Sequence, residues 1–150
     1  MSLLSRIRSI FVGTKAGEKQ LLPITEVLGI QAKVGDTPTH ELASSSHQDL
    51  QVMLKCCEAE ETNYWKQPAG RRACAAPFYF ERVAILSRKA KDYATEVSIC
   101  ERWKAIADDY AGQSIVRDGM AALVHQGPRS VAILGRMDKA RDLLARSPGR

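Results

Sequence analysis

The sequence predicts an all-α fold, a compact helical bundle. Aromatic residues make up only 6% of the 150 residues, whereas alanine and leucine, which favour helix, are abundant. From residue 46 onward, apolar residues recur every three or four positions, as on one face of a helix. Hydrophobic residues at 45% and charged residues at 26% are typical of a globular domain that buries its own core.

Residues 1–45 are predicted to form an N-terminal arm, and residues 46–150 a helical domain. Residues 2–12 read as a short amphipathic helix, in which Arg6 and Arg8 interrupt the continuous apolar core that a secretory signal needs. Residues 13–45 contain many glycines and prolines. Within them, 24–34 reads as a short irregular or β segment, or a helical turn, and 37–46 reads as a polar loop.

The first long helix is predicted over 47–65, with Ser46 as its N-cap and Asp49 in the first turn. Pro68 and Gly70 are expected to end it, and 71–76 to form a linker. Pro77 then suits the first turn of a second helix. The apolar face of this second helix is predicted to consist of Phe80, Val83, Ala84 and Ser87.

Residues 91–93 are expected to form a tight turn into a third helix that Gly112 ends. The buried stripe of this helix is predicted to contain Val97, Cys100, Trp103 or Lys104, Ala107 and Tyr110. A weaker helix is predicted over 115–125, weakened by Gly119, and Gly127-Pro128 reads as a stop. A last helix, over about 129–146, is predicted to bury Ile133, Met137, Ala140 and Leu144.

Residues 80–103 resemble a single tetratricopeptide-type unit, a pair of antiparallel helices that pack through small and large residues at fixed offsets. Phe80 matches the aromatic position near the start of the first helix. Val83 and Ala84 match the pair where the helices approach closely, and Tyr93 matches the aromatic after the turn. The residues that depart from the family pattern are Lys91, Glu96 and Trp103. The resemblance implies a short helical-repeat-like domain.

A partial echo of this unit lies at 131–148. VAILSR at 83–88 recurs as VAILGR at 131–136, a spacing of 48 residues. The following stretch resembles the second helix of such a unit, with Gly135, Met137 and Ala140 in the expected positions. Gly127 and Pro128 argue against a complete repeat. True repetition and a generic helical bundle are both compatible with this pattern.

The net charge of +5 is unevenly distributed along the chain. Residues 34–63 carry a net −5 and residues 64–104 a net +5, which predicts an acidic helix beside a basic neighbour. The alternative interpretation is a basic face for nucleic acid, spanning Arg71 to Lys91. That face would consist of Arg71, Arg72, Arg82, Arg88, Lys89 and Lys91.

Catalytic motifs are not apparent in the sequence, which contains no glycine-rich phosphate loop, no GxSxG and no HExxH. The cysteines are Cys56, Cys57, Cys74 and Cys100. They contain no CxxC pair and do not combine with histidines at the spacing of a zinc site, so buried thiols in a reducing cytoplasm are expected. We therefore expect a cytoplasmic protein that is not an enzyme and needs no cofactor or metal.

A helical protein-interaction module of the adaptor, regulator or inhibitor type is the function that the sequence favours. Helix packing would leave a groove, and basic and aromatic side chains would anchor a protein partner. The candidate contact residues are Tyr64, Trp65, Arg71, Arg72, Tyr79, Arg82, Arg88, Lys89 and Trp103. A homo-oligomer formed through residues 3–11, with Leu3, Ile7, Ile10 and Phe11 against another copy, is a further hypothesis.

Overall fold

The computed structural model describes residues 11–13, 19–21 and 31–148, and divides the chain into two units, Met1–Gln31 and Ala32–Arg150. In the first unit, β1 (Phe11–Gly13) pairs antiparallel with β2 (Lys19–Leu21), with Phe11 opposite Leu21. The helix predicted over 2–12 is therefore wrong at Phe11 and Val12, whose aromatic and β-branched side chains favour strand. The rest of that segment, including the predicted oligomer contacts at 3–10, lies outside the described residues.

The second unit begins with a small hairpin and a short helix. β3 (Lys33–Val34) pairs antiparallel with β4 (Thr37–Pro38), and Gly35 takes a positive φ of 60° in the connecting turn. α1 (Thr39–Ser45) follows directly. The polar loop predicted over 37–46 is thus wrong, because Thr39 is buried and its hydroxyl donates to Glu60, which anchors the start of α1. Of the segment 24–34, only its last residues are described, and Lys33–Val34 is a strand.

α2 (Leu50–Trp65) is the predicted first long helix, but it begins later than expected. Its N-cap is Asp49, whose carboxylate accepts a 3.1 Å hydrogen bond from the backbone N–H of Val52. Ser46 instead follows the last residue of α1. Serine and aspartate are both favourable N-cap residues. Because Ser46 follows the end of α1, Asp49 is the residue that caps α2.

α3 (Pro77–Lys89) and α4 (Tyr93–Ala111) form the predicted hairpin. All four residues of the predicted apolar face of α3 are buried. In α4, Cys100, Trp103, Ala107 and Tyr110 are buried as predicted, but Val97 is only half-buried and Lys104 is exposed. Glu96, Ile99 and Ile106 are buried in addition.

The C-terminal third contains α5 (Ser114–Arg117), a 3-10 turn (Val124–Gln126), α6 (Pro128–Gly135) and α7 (Met137–Arg146). Helix formation over 115–125 is thus confined to its two ends. Pro128, read as a stop, instead occupies the first turn of α6, where its missing N–H costs nothing. The single helix predicted over 129–146 is interrupted at Arg136, and Leu144 is 39% exposed.

Side-chain contacts between the helices show the relative directions of their axes. Arg102 donates to Glu61 and Tyr64 to Asp109, so α2 and α4 are parallel. Arg129 contacts Glu81 and Arg88 contacts the carbonyl of Arg136, so α3 and α6 are parallel as well. The all-α prediction is confirmed: α3 packs mainly against α4 and also against α2 and α6, and α7 packs against α4, around a common core.

The core of the second unit is centred on Trp103. Its ring lies 5.2 Å from that of Phe80, and its indole N–H donates a 2.8 Å hydrogen bond to Ser130 of α6. Tyr64, Met53 and Ile133 are equally buried around it. Within the described ranges, no helix combines the length and the apolar character needed to cross a bilayer.

Candidate interaction face on α3 and α6

The solvent side of α3 carries a mixture of apolar and cationic side chains. At 100° per residue, Phe78, Arg82, Ile85 and Lys89 lie opposite the buried residues of the helix. Phe78, Arg82 and Ile85 are half-buried, and Lys89 is exposed. Two apolar side chains thus alternate along this side with two cations.

The solvent side of α6 is free of charge. Ser130, Ile133 and Met137 point to the core, and the opposite side of α6 consists of Pro128, Val131, Ala132 and Gly135, all of them exposed. Val131 is 61% exposed. An exposed apolar side chain indicates a binding patch only where further apolar side chains lie beside it.

One ion pair joins the two helices at this surface. The guanidinium of Arg129 pairs with the carboxylate of Glu81, and it also lies 5.0 Å from the ring centroid of Phe78. Because α3 and α6 are parallel and in contact here, their solvent sides form one continuous surface. We call it the α3–α6 face, and it consists of Phe78, Arg82, Ile85, Lys89, Pro128, Val131, Ala132 and Gly135, with the Glu81–Arg129 pair between the helices.

Arg82 is held in place at the α2 side of this face. Its Nε donates a 3.0 Å hydrogen bond to the carbonyl of His47, and one terminal nitrogen donates a 3.0 Å bond to Oε1 of Gln48. These bonds to the turn before α2 limit the rotamers of Arg82. A cation that is already ordered loses less conformational entropy when it meets a partner.

A buried carboxylate fixes α6 to the hairpin beneath the face. Glu96 is fully buried and accepts from Nε of Arg88 at 2.9 Å through Oε2, and from Nε of Arg136 at 2.9 Å through Oε1. A terminal nitrogen of Arg88 also lies 2.8 Å from Oε1. We call these three residues the Glu96 cluster. It explains why the tetratricopeptide pattern fails at Glu96: a small residue there would leave two arginines unpaired.

Arg88 and Arg136 of the Glu96 cluster are the last residues of the two related sequences, VAILSR and VAILGR. Arg88 and Glu81 of α3 contact Arg136 and Arg129 of α6, at the echo's own spacing of 48 residues. The second half of the resemblance is different. Leu144 and Ser147 line one small cavity with residues 90–94 before and at the start of α4, so α7 continues in the direction of α6 and does not fold back as a second hairpin helix.

Three of the predicted contact residues, Tyr64, Trp65 and Arg72, meet at the other end of the hairpin. Oδ2 of Asp109 accepts from Tyr64 at 2.7 Å and from Arg72 at 3.1 Å. The Arg72 guanidinium lies 5.7 Å from the ring of Tyr64 and 5.2 Å from that of Trp65. Burial and the Asp109 hydrogen bond raise the pKa of Tyr64. This cluster ties the linker 66–76 to α4, and both Trp65 and Arg71 are exposed to solvent.

Three of the predicted contact residues belong to the core. Tyr64 is 1%, Tyr79 3% and Trp103 0% exposed, so their side chains do not reach the surface that a partner would meet. Helical spacing alone does not say which way an aromatic side chain faces when apolar residues surround the helix. Arg82 and Lys89 lie on the α3–α6 face, and Arg88 lies at its edge in the Glu96 cluster.

The sequence pattern did not point to Phe78, Ile85, Arg129 or Val131 as surface contacts. Apolar residues surround α3, so spacing alone does not assign Phe78 and Ile85 to its outer side. The uncharged stretch from Val131 to Gly135 was read as a repeat and a core helix. The echo at a spacing of 48 residues relates the two segments in sequence, whereas the contacts Glu81–Arg129 and Arg88–Arg136 place α3 beside α6.

The cysteine thiols carry no sign of activation. Desolvation raises the pKa of Cys56 to about 11, of Cys74 to about 12 and of Cys100 to about 11, and it raises the pKa of Cys57 as well. A catalytic thiol requires a lowered pKa. Among the residues that the structure describes, no three histidine, cysteine or acidic side chains come together in a group able to hold a metal ion.

No protein-family model, curated protein or solved structure matches the chain.

Proposed function

We propose that this protein is a non-catalytic helical interaction module that binds a protein partner through the α3–α6 face. The observation that carries the proposal is that exposed Val131 and half-buried Phe78 and Ile85 lie on the outer sides of two adjacent helices, beside ordered cations. Apolar side chains beside ordered arginines are the composition typical of binding hot spots. The polar outer side of α7 shows the contrast, since it carries Asp138, Arg141 and Asp142.

The test is a selection of peptides on the immobilised full chain from a random displayed library. Val131→Asp places a charge in the middle of the uncharged side of α6, and Ala145→Asp places the same charge at an exposed position of α7 as the matched control. Peptides that bind the face should lose about tenfold or more in affinity with Val131→Asp, because a carboxylate must be desolvated there. Their affinity for the Ala145→Asp protein should be unchanged.

Two results would count against this function. One is a selection that yields only peptides whose affinity is the same for both variants. The other is turnover of a substrate class in a broad activity screen, lost on substitution of a described side chain.

Nucleic-acid binding through Arg71 to Lys91 is the less favoured function. Arg72 and Arg88 pair with the carboxylates of Asp109 and Glu96, so two of the six proposed cations are already neutralised within the protein. The function predicts retention on DNA or RNA that falls steeply with salt.

A further inference from the structure

The charges around the α3–α6 face are almost all positive. Arg82, Lys89 and Arg129 lie on it, and the carboxylate among them, Glu81, is only 18% exposed and is paired with Arg129. Arg88 at the edge is paired with Glu96. A partner that approaches this face therefore meets two cations without a carboxylate partner in the face, Arg82 and Lys89, on either side of Ile85. Charge complementarity favours an acidic partner.

The spacing of these side chains is that of a helix surface. Phe78 and Ile85 are seven residues apart, and so are Arg82 and Lys89, which is about two turns or 10.5 Å for each pair. The same interval separates apolar residues in a heptad pattern, and acidic residues beside them would pair with the cations. The small, uncharged side chains beside Val131 on the outer side of α6 leave room for a second helix that lies along α3.

The backbone of the face excludes recognition by strand addition. α3 and α6 satisfy their own N–H and C=O groups, so the surface has no free edge on which an extended chain could continue a sheet. A helix brings its own satisfied backbone and needs only side-chain contacts. The apolar centre of the face, Phe78, Ile85 and Val131, offers nothing to a phosphate backbone, which makes a nucleic acid the weaker fit.

We infer that the segment bound at the α3–α6 face is an acidic amphipathic helix of the partner, with apolar residues along its inner side and carboxylates that pair with Arg82 and Lys89. This inference rests on the proposed function. It requires about three turns of helix, since the face extends over the length of α3 from Phe78 to Lys89.

Three synthetic peptides of about 15 residues test it on the full chain by fluorescence anisotropy. The first is an amphipathic helix with leucines in heptad positions and glutamates beside them, the second has the same composition in scrambled order, and the third has lysine for glutamate. The first should bind about tenfold more tightly than the other two, because it alone matches both the apolar spacing and the charge. Added salt should weaken its binding.

Reversing the charge of Arg82 and Lys89 distinguishes specific recognition from nonspecific electrostatic binding. The Arg82→Glu/Lys89→Glu protein should prefer the lysine peptide to the glutamate peptide, whereas Lys139→Glu/Arg146→Glu on α7 makes the same change in net charge and should keep the original preference. Lys89→Glu alone, at an exposed position, shows the same trend if the double variant does not fold.

Equal binding of the three peptides, or a loss that is as large in the α7 control, would overturn the inference. So would displacement of the glutamate peptide by a DNA duplex or by a second copy of the chain at stoichiometric concentration. If the selected library peptides respond to Val131→Asp but are neutral or basic, the acidic helix is wrong and the proposed function stands. If none responds to Val131→Asp, the proposed function fails as well.

Discussion

Replacing Glu96 by alanine should destabilise the second unit by about 3 kcal/mol, because the side chain of Glu96 is the only carboxylate in the Glu96 cluster and is fully buried. The substitution leaves the guanidinium groups of Arg88 and Arg136 without their shared partner, at the seam where α6 meets the hairpin. It also leaves a small cavity beside them.

The magnitude follows from three short contacts and from the exposure of the arginines. Breaking a buried ion pair costs roughly 3–5 kcal/mol when the remaining charge stays buried. Here the side chains of Arg88 and Arg136 are 30% and 23% exposed, so water recovers part of their solvation. The low end of that range is therefore expected. For a unit of this size it corresponds to a fall in Tm of about 10–15 °C.

Urea denaturation followed by circular dichroism measures the loss of stability, and hydrogen exchange locates it. Exchange should accelerate most in α6 and α7, because the Glu96 cluster holds α6 to the hairpin. Glu96→Gln keeps the shape and removes the charge, and should cost about 2 kcal/mol, since only one arginine then finds an acceptor. Arg88→Met and Arg136→Met should cost more together than the sum of the two, by about 1 kcal/mol, because the second replacement leaves Glu96 buried without a cation.

A Glu96→Gln protein as stable as the wild type would contradict this expectation, since the charge would then contribute nothing. Additive costs of the two methionine substitutions would equally show that the arginines do not act through Glu96. Faster exchange spread evenly over α2 and α6 would contradict the local role.

Three further predictions concern single positions. Burial raises the pKa of Glu60 above its ordinary value, so the ionised carboxylate lowers the stability of the folded protein, and this cost disappears as the pH falls toward 4.5. Between pH 8 and pH 5, the urea midpoint of the wild type should therefore rise relative to that of the Glu60→Gln protein. A difference between the two midpoints that does not change with pH would contradict this. Lys91 has a φ of 58°, so Lys91→Gly should stabilise by about 0.5–1 kcal/mol in the same assay while Lys91→Ala, the control, gains nothing; equal effects would exclude backbone strain as the cause. Every cysteine thiol has a raised pKa and three are fully buried, so a thiol reagent at pH 7 should react only slowly with the native protein. In urea the same reagent should label all four cysteines. Rapid labelling of the native protein would show an activated thiol.

The helical class and the central hairpin were predictable because local patterns determine them. Phe80, Val83 and Ala84 recur at the interval of one helix face, and Pro77 suits a first turn, so α3 begins and buries its residues as predicted. The segments read wrongly depend on contacts far along the chain. Thr39 starts a helix because its hydroxyl reaches Glu60, twenty-one residues away, which no local pattern reveals.

The candidate site was predictable only in part. Arg82 and Lys89 were recognised as surface cations, whereas Tyr64, Tyr79 and Trp103 are core residues. An aromatic residue at helical spacing fits a core or a surface equally well, and the packing of neighbouring helices decides which it is.

The amino-acid sequence by itself determined that this chain forms helices, where its hairpin turns, and that α3 and α6 carry related sequences, because each of these depends on propensity, turn residues or order along the chain. Only the tertiary structure decided that α3 and α6 lie side by side, that Glu96 is buried between two arginines, and that Arg129 of α6 lies over the ring of Phe78 on α3. These facts arise from contacts between residues up to 48 positions apart, whose burial depends on the packing of the whole unit.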